Sequence, residues 1–153
     1  MIEIKIENPD QAEVHALLTA SDAYMASLYP AESNHMVDVS TLKQRHVTFL
    51  VARAEGRAVG CGAVVQSANG WAEIKRMFVS PAARGRQVGR KLLERLEAVA
   101  RDKGITALRL ETGISQPEAL ALYRSAGFRE IEPFGDYRPD PLSLFMEKTI
   151  TGR

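Results

Sequence analysis

The sequence predicts an α/β (α+β) fold: a mixed, mostly antiparallel central sheet of about seven strands flanked by about four helices. Three observations favour this fold class. Short apolar runs alternate with turn signals in the first half of the chain, and apolar residues recur at helical spacing in later segments. A length of 153 residues with 45% hydrophobic content suits one core. We therefore expect one domain over residues 1–150, followed by a short tail at residues 151–153.

The N-terminal segment predicts a strand followed by two helices. Ile2, Ile4 and Ile6 alternate with charged residues, which is typical of a strand with one buried face. Asn8-Pro9-Asp10 ends that strand and opens a helix. A second short helix is predicted within residues 21–30, where the final proline stops it.

The middle of the chain predicts a three-stranded meander. Apolar runs at residues 47–53, 58–65 and 72–79 are separated by two turn signals. Glu55-Gly56-Arg57 marks the first turn, and Asn69-Gly70 predicts a two-residue hairpin turn because both residues accept positive φ. The three strands are therefore expected to pair antiparallel in chain order.

Helical spacing returns after the meander. Apolar residues from Val88 to Ala100 predict a helix that packs on the sheet, and Gly104 is expected to provide its left-handed cap. The following strand, residues 107–111, is reached through a helix and should run parallel to its predecessor.

The C-terminal part predicts one more helix and two strands. Ser115 and Glu118 fit the capping box of a helix that continues to Gly127. The last strands are expected at residues 128–131 and 143–148. The loop between them is rich in turn formers and long enough to shape a binding site.

Charge and cysteine content exclude several classes of protein. Twenty Lys plus Arg against nineteen Asp plus Glu leave a formal charge of +1, so nucleic acid and anionic membranes are not expected as partners. The single cysteine, Cys61, excludes an internal disulfide and is expected in the core. His15, His35 and His46 share no metal-ligand spacing, so no metal is predicted. With no apolar run of about 20 residues and no signal-peptide pattern, we expect a cytoplasmic protein.

The segment Arg84-Gly85-Arg86-Gln87-Val88-Gly89-Arg90 indicates a phosphate site. A glycine-bearing turn lets backbone N–H groups approach an anion, and the helix that follows adds unpaired donors and the positive end of its dipole. Arginines at a helix start are disfavoured by that dipole unless an anion offsets the cost.

Two motifs give the chain a family resemblance. They are Glu73-Ile74-Lys75-Arg76-Met77-Phe78-Val79 leading into the phosphate segment, and Gln116-Pro117-Glu118-Ala119-Leu120-Ala121-Leu122-Tyr123-Arg124-Ser125-Ala126-Gly127-Phe128. In this order they resemble the GNAT superfamily of acetyl-CoA-dependent N-acyltransferases, over nearly the whole chain. Two positions depart from the family pattern. Gln87 occupies the first glycine position of the phosphate loop, where we expect negative φ, and Gln116 stands where many relatives carry Asn.

The resemblance implies transfer of an acetyl group from acetyl-CoA to a primary amine of a small molecule or peptide, by direct attack. It makes Glu73 the general base and Tyr123 the acid that protonates the departing thiolate. The residues implied in cofactor binding are Met77, Phe78, Val79, Arg84, Gly85, Arg86, Gln87, Val88, Gly89, Arg90 and Gln116. The residues alone leave other roles open: Glu73 as an ion-pair partner of Lys75, and Tyr123 as a core aromatic.

The acceptor side is less defined by the sequence. Glu111 is an alternative base or an amine-binding carboxylate. By the resemblance, the acceptor would contact Tyr24, Tyr29, Glu32, His35, Phe134 and Tyr137, although exposed aromatic residues fit the contact of a homodimer equally well. A non-catalytic sensor or partner-binding module that keeps the acyl-CoA site is the alternative function.

Overall fold

The structure is a computed structural model that describes residues 1–33 and 37–150. Among these residues, seven strands and four α-helices are present. The strands are β1 (Ile2–Ile6), β2 (Val47–Ala54), β3 (Arg57–Gln66), β4 (Trp71–Val79), β5 (Ala107–Gly113), β6 (Arg129–Ile131) and β7 (Ser143–Thr149). The helices are α1 (Ala12–Leu28), α2 (Val39–Leu42), α3 (Val88–Asp102) and α4 (Pro117–Ser125).

All seven strands form one sheet in the order β1-β2-β3-β4-β5-β7-β6. Neighbouring strands are antiparallel except for β4 and β5, which run parallel as expected from the helix that joins them. The predicted fold class, a mixed and mostly antiparallel sheet flanked by helices, is confirmed. Within the described ranges, no helix is long and apolar enough to cross a membrane.

Successive strand residues send their side chains to opposite faces of the sheet, and each face has its own core. Leu50 and Val64 belong to the cluster beneath α3 and α4. Their neighbours Val51 and Ala63 belong to the cluster beneath α1 and α2, together with the fully buried Cys61. The prediction of Cys61 as a core residue is thus confirmed, and burial raises the pKa of its thiol to about 12.

The first two helices both differ from the prediction. The two N-terminal helices are one continuous helix, α1, which ends at Leu28 before Pro30. No glycine or proline interrupts the chain between them, so nothing in the backbone stops the first helix. The remaining helix, α2, was not expected; the Asp38 side chain caps it by accepting the Thr41 N–H at 3.0 Å.

One of the two hairpin turns was also predicted wrongly. Glu55 and Gly56 have φ of 48° and 80°, as in a two-residue type I′ turn. The second hairpin instead has a three-residue loop, because the Ser67 N–H donates to the Trp71 carbonyl across residues 68–70. Only Gly70 of this loop has positive φ, so Asn69-Gly70 is not a two-residue turn.

Gln87 contradicts the expectation of negative φ. It lies immediately before α3 with φ of 64° and ψ of 23°, in the left-handed region. Only residues 84–87 connect the short 3-10 turn Pro81–Ala83 to α3, and the reversal of the chain uses positive φ at Gly85 as well. The glycine found at this position in the family pattern is therefore the residue that the conformation favours.

Replacing Gln87 by glycine is expected to raise the free energy of unfolding by about 1 kcal/mol, because glycine adopts this conformation without the steric penalty of a side chain. In a chain of this size, a thermal melt should show Tm higher by about 2–4 °C. Gln87→Ala is the control: it removes the side-chain carboxamide but keeps Cβ, so no stabilisation is expected. A Gln87→Gly protein melting no higher than the Gln87→Ala protein would contradict this account.

Candidate active site

A cleft opens where β4 and β5 separate. The two strands pair only from Trp71–Glu73 to Ala107–Arg109, although β4 continues to Val79 and β5 to Gly113. Two spaces occupy the cleft: a groove of about 610 Å³ beside α3 and α4, and an inner cavity of about 90 Å³ between the two strands. Four side chains line both spaces: Met25, Met77, Gln116 and Tyr123.

The groove collects most of the residues predicted to bind the cofactor. Its walls include Met77, Phe78, Val79, Arg84, Gly85, Gln87, Val88, Gly89, Arg90 and Gln116. Arg86 is the exception: its side chain is 43% exposed and does not line the groove, and its guanidinium lies 3.7 Å from the Glu55 carboxylate.

The N-terminus of α3 faces this groove. The first amide with an intrahelical acceptor is that of Lys91, which donates to the Gln87 carbonyl at 3.0 Å. By helix geometry, the amides of Val88, Gly89 and Arg90 have no such acceptor. The first turn of α3 carries no acidic residue, so these donors and the helix dipole provide a site for an anion.

Tyr123 on α4 lies where the groove meets the inner cavity. Its hydroxyl donates to the Met77 Sδ at 3.7 Å, and its ring packs edge-on against Phe128. Burial, with a smaller contribution from the Glu111 carboxylate, raises the pKa of Tyr123 to about 12. The hydroxyl therefore keeps its proton at neutral pH and can donate it.

Glu73 on β4 lines the inner cavity and takes part in a three-residue network. The Tyr137 hydroxyl donates to Glu73 Oε2. The Lys75 ammonium lies 3.3 Å from the same carboxylate oxygen and 2.5 Å from the Tyr137 hydroxyl. Burial and the Glu73 carboxylate both raise the pKa of Tyr137. The ion pair between Glu73 and Lys75, left open by the sequence, is thus present.

Glu111 lines the same cavity from the opposite strand, β5. Its Oε2 accepts the Ser143 hydroxyl at 2.6 Å. The two candidate bases, Glu73 and Glu111, therefore face one cavity from its two walls.

Tyr29 joins the end of α1 to the start of α4. Its hydroxyl accepts the Ser115 N–H and donates to Gln116 Oε1, both at 3.1 Å. The predicted capping box is wrong, since Gln116, not Ser115, is the N-cap residue of α4. The contact requires Gly113, because a Cβ there would lie 1.8 Å from the Tyr29 oxygen.

The other residues predicted on the acceptor side are dispersed. Tyr24 lines the groove, with the Arg84 guanidinium 5.9 Å from its ring centroid. Tyr29 and Phe134 are buried, so neither is an exposed aromatic, and Phe134 packs against Tyr137. Glu32 is exposed and lines neither space. His35 lies outside the described residues.

Arg76 is a residue of the site that sequence reasoning missed. It lines the inner cavity and, with Met77, forms a bulge on β4 opposite the single residue Gly62 of β3. A bulge shifts the alternation of strand faces by one residue, and the adjacent charged residues Lys75 and Arg76 are the sequence signal that could have indicated it.

The comparisons with known proteins agree with this architecture. The sequence model of the acetyltransferase (GNAT) family matches residues 8–128. The IAA acetyltransferase of Azospirillum brasilense is 53% identical over 150 residues, which cover 97% of this chain and 98% of that protein. This protein is therefore an acyltransferase. It belongs to the acetyltransferase (GNAT) family.

Two solved structures show the same fold. A Klebsiella pneumoniae chain described as an acyl-CoA N-acyltransferase has a TM-score of 0.88 and 44% identity, with 98% of each chain covered. The PaiA N-acetyltransferase of Thermoplasma acidophilum, solved in complex with coenzyme A, has a TM-score of 0.74 and 20% identity, covering 97% of this chain and 99% of that one. The second likeness is one of fold alone.

Proposed function

We propose that this protein transfers an acetyl group from acetyl-CoA to a primary amine of a small molecule or peptide, by direct attack. The observation that carries the proposal is the junction at Met77 and Tyr123, where an anion-binding groove meets a cavity lined by carboxylates. An acyl donor held in the groove would have its reactive end at that junction, beside an amine held in the inner cavity.

The groove fits acetyl-CoA in both charge and shape. The α3 amides and the guanidinium groups of Arg84 and Arg90 would hold the diphosphate, and the Tyr24 ring supports Arg84. Within the described chain, β4 has no β5 partner from Ile74 to Val79. The pantetheine arm would bind along this open edge like an added strand.

Bound acetyl-CoA supplies a thioester, whose carbonyl carbon is already activated for attack by an amine. The protein has to remove one proton, because an alkyl amine of pKa about 10.4 is mostly charged at neutral pH. Glu73 accepts that proton, directly or through water. Tyr137 and Lys75 hold its Oε2, so Oε1 is the atom we assign to the proton transfer.

Two groups at the junction complete the chemistry. The Met77 N–H donates to the thioester carbonyl oxygen and stabilises the charge that develops there. The Tyr123 hydroxyl, which is protonated at neutral pH, delivers its proton to the departing sulfur. No covalent bond to the enzyme is needed.

Glu73→Gln is expected to lower kcat at neutral pH about a hundredfold, the usual loss for a general base. The amide has the same shape and can still accept the Tyr137 hydroxyl. Activity should recover partly as pH rises, because more of the amine is then neutral without help from the enzyme. A steady-state pH profile measures this.

Glu111→Gln is the matched control for that profile, since Glu111 lies across the same cavity. If Glu73 is the base, the Glu111→Gln protein should keep the wild-type dependence of kcat on pH. If the dependence of kcat on pH changes only in the Glu111→Gln protein, the general base is Glu111 and not Glu73.

The proposed activity is tested by measuring thiol release from acetyl-CoA in the presence of pooled small amines and peptides, with IAA included because a relative carries it in its name. Release that depends on one acceptor, with a mass gain of one acetyl group on that acceptor, is expected. Binding of CoA in calorimetry without transfer to any acceptor would favour the sensor function instead.

A further inference from the structure

The backbone of Arg76 is held in a conformation that side chains disfavour. Its φ is 57°, in the left-handed region that favours glycine. Within residues 1–33 and 37–150, Glu55 and Gln87 are the other non-glycine residues with positive φ, and both lie in connections between elements. Arg76 instead lies inside a strand, and strain of this kind persists only where the surrounding structure enforces it.

The side chain of Arg76 is equally constrained. It is 4% exposed, and its Nη1 donates to Asp22 Oδ1 at 2.7 Å. Its Nη2 donates to the Leu18 carbonyl at 3.4 Å, so both contacts are with α1. Its Nε is buried without a hydrogen-bond partner. A buried cation with one unsatisfied donor is costly, so stability alone is a poor explanation for it.

The residue after Arg76 is Met77, which we assign to the carbonyl oxygen of the thioester. The Cys61 thiol donates to the Arg76 carbonyl at 3.3 Å, on the peptide group that contains the Met77 amide. The peptide is therefore fixed by β3 through Cys61 and by α1 through the guanidinium. Any rotation of the Arg76 backbone would turn the Met77 N–H.

We propose that Arg76 is a positioning residue for acyl transfer. Its ion pair with Asp22 ties the β4 bulge to α1 and holds the Met77 amide at the junction of the groove and the inner cavity. The same helix places Ser21 and Met25 in the wall of that cavity. Arg76 acts through Met77 and not by contact with the reacting atoms, and this inference rests on the proposed function.

Asp22 provides the decisive test, because its side chain is 53% exposed and lines neither the groove nor the inner cavity. An exposed substitution outside a site normally changes little. Asp22→Ala and Arg76→Gly are each expected to lower kcat about tenfold while KM for acetyl-CoA stays within about twofold of wild type. The double mutant should lose about the same factor as either single mutant, because both remove one interaction.

Two further variants separate positioning from general packing. Arg76→Lys keeps the charge but not the planar fork of donors, so its kcat should lie between wild type and Arg76→Gly. Glu55→Gly relieves the same backbone conformation in a turn that lines neither space, and its kcat should be unchanged.

A wild-type kcat in the Asp22→Ala protein, or a double mutant in which the two losses multiply, would overturn the inference and leave the proposed function intact. Should Arg76→Gly fail to fold, Asp22→Ala still decides the matter. Absence of transfer by the wild-type protein to every amine would instead remove the proposed function, and this inference with it.

Discussion

Replacing Tyr123 by phenylalanine is expected to lower kcat about a hundredfold, while the affinity for CoA changes by no more than about twofold. The substitution removes one hydroxyl from a buried ring and leaves the ring in place. That hydroxyl lies at the junction of the two spaces, and its raised pKa keeps it protonated below about pH 12. The variant would therefore lack the acid that protonates the departing thiolate, while the rest of the site is retained.

Phe128→Leu is the control for Tyr123→Phe. Phe128 packs against the Tyr123 ring with centroids 5.8 Å apart, so the substitution disturbs the packing and keeps the hydroxyl. The protein should lose stability and retain kcat within a few-fold. If Tyr123→Phe matches wild-type kcat at saturating substrates, the hydroxyl has no role in the chemistry, and Tyr123 is a core aromatic.

Gly89→Glu is expected to weaken CoA binding at least about a hundredfold in calorimetry, which corresponds to a loss of about 2.7 kcal/mol. Gly89 lies in the first turn of α3, where the free amides face the groove. A Cβ at this position would approach Leu122 Cδ2 to 3.2 Å, and the added carboxylate would repel the diphosphate. Both effects weaken the binding of acetyl-CoA, the step that precedes acetyl transfer.

Two controls isolate the cause of that loss. Gly89→Ala adds the Cβ without the charge, and a small shift of the flexible Leu122 end should keep binding within about tenfold of wild type. Lys91→Glu changes the charge of the same helix by a larger amount, on an exposed side chain outside the groove wall. If Lys91→Glu weakens binding as much as Gly89→Glu does, the general field of the helix holds CoA, and the local site does not.

The strands, helix α3 and the phosphate segment could be predicted because their signals are local. Alternating apolar residues indicate the strand β1. The helical spacing of apolar residues in α3 indicates a helix, whichever part of the protein that helix packs against. The glycines at residues 85 and 89 also indicate by themselves where a backbone can approach an anion. For the same reason, most of the predicted cofactor residues line one groove.

What the sequence missed depends on contacts between distant segments or on backbone angles. The network that links Glu73 to Tyr137 joins residues far apart in the chain, and the Arg76 contact with Asp22 crosses from a strand to a helix. The angle at Gln87 was predicted wrongly because the side chain carries no sign of the strain that its short connection imposes. Arg86 illustrates the remaining difficulty: it lies inside the right motif, yet its side chain pairs with Glu55.

The burial of Cys61 has a practical consequence for enzymology. It is the only cysteine of the chain, it is fully inaccessible, and its thiol stays un-ionised until strongly alkaline pH. Colour-forming disulfide reagents react with thiolates, so the folded protein contributes almost no background to them. The absorbance would then report the coenzyme released in each turnover, and Cys61 would not have to be replaced for the assay.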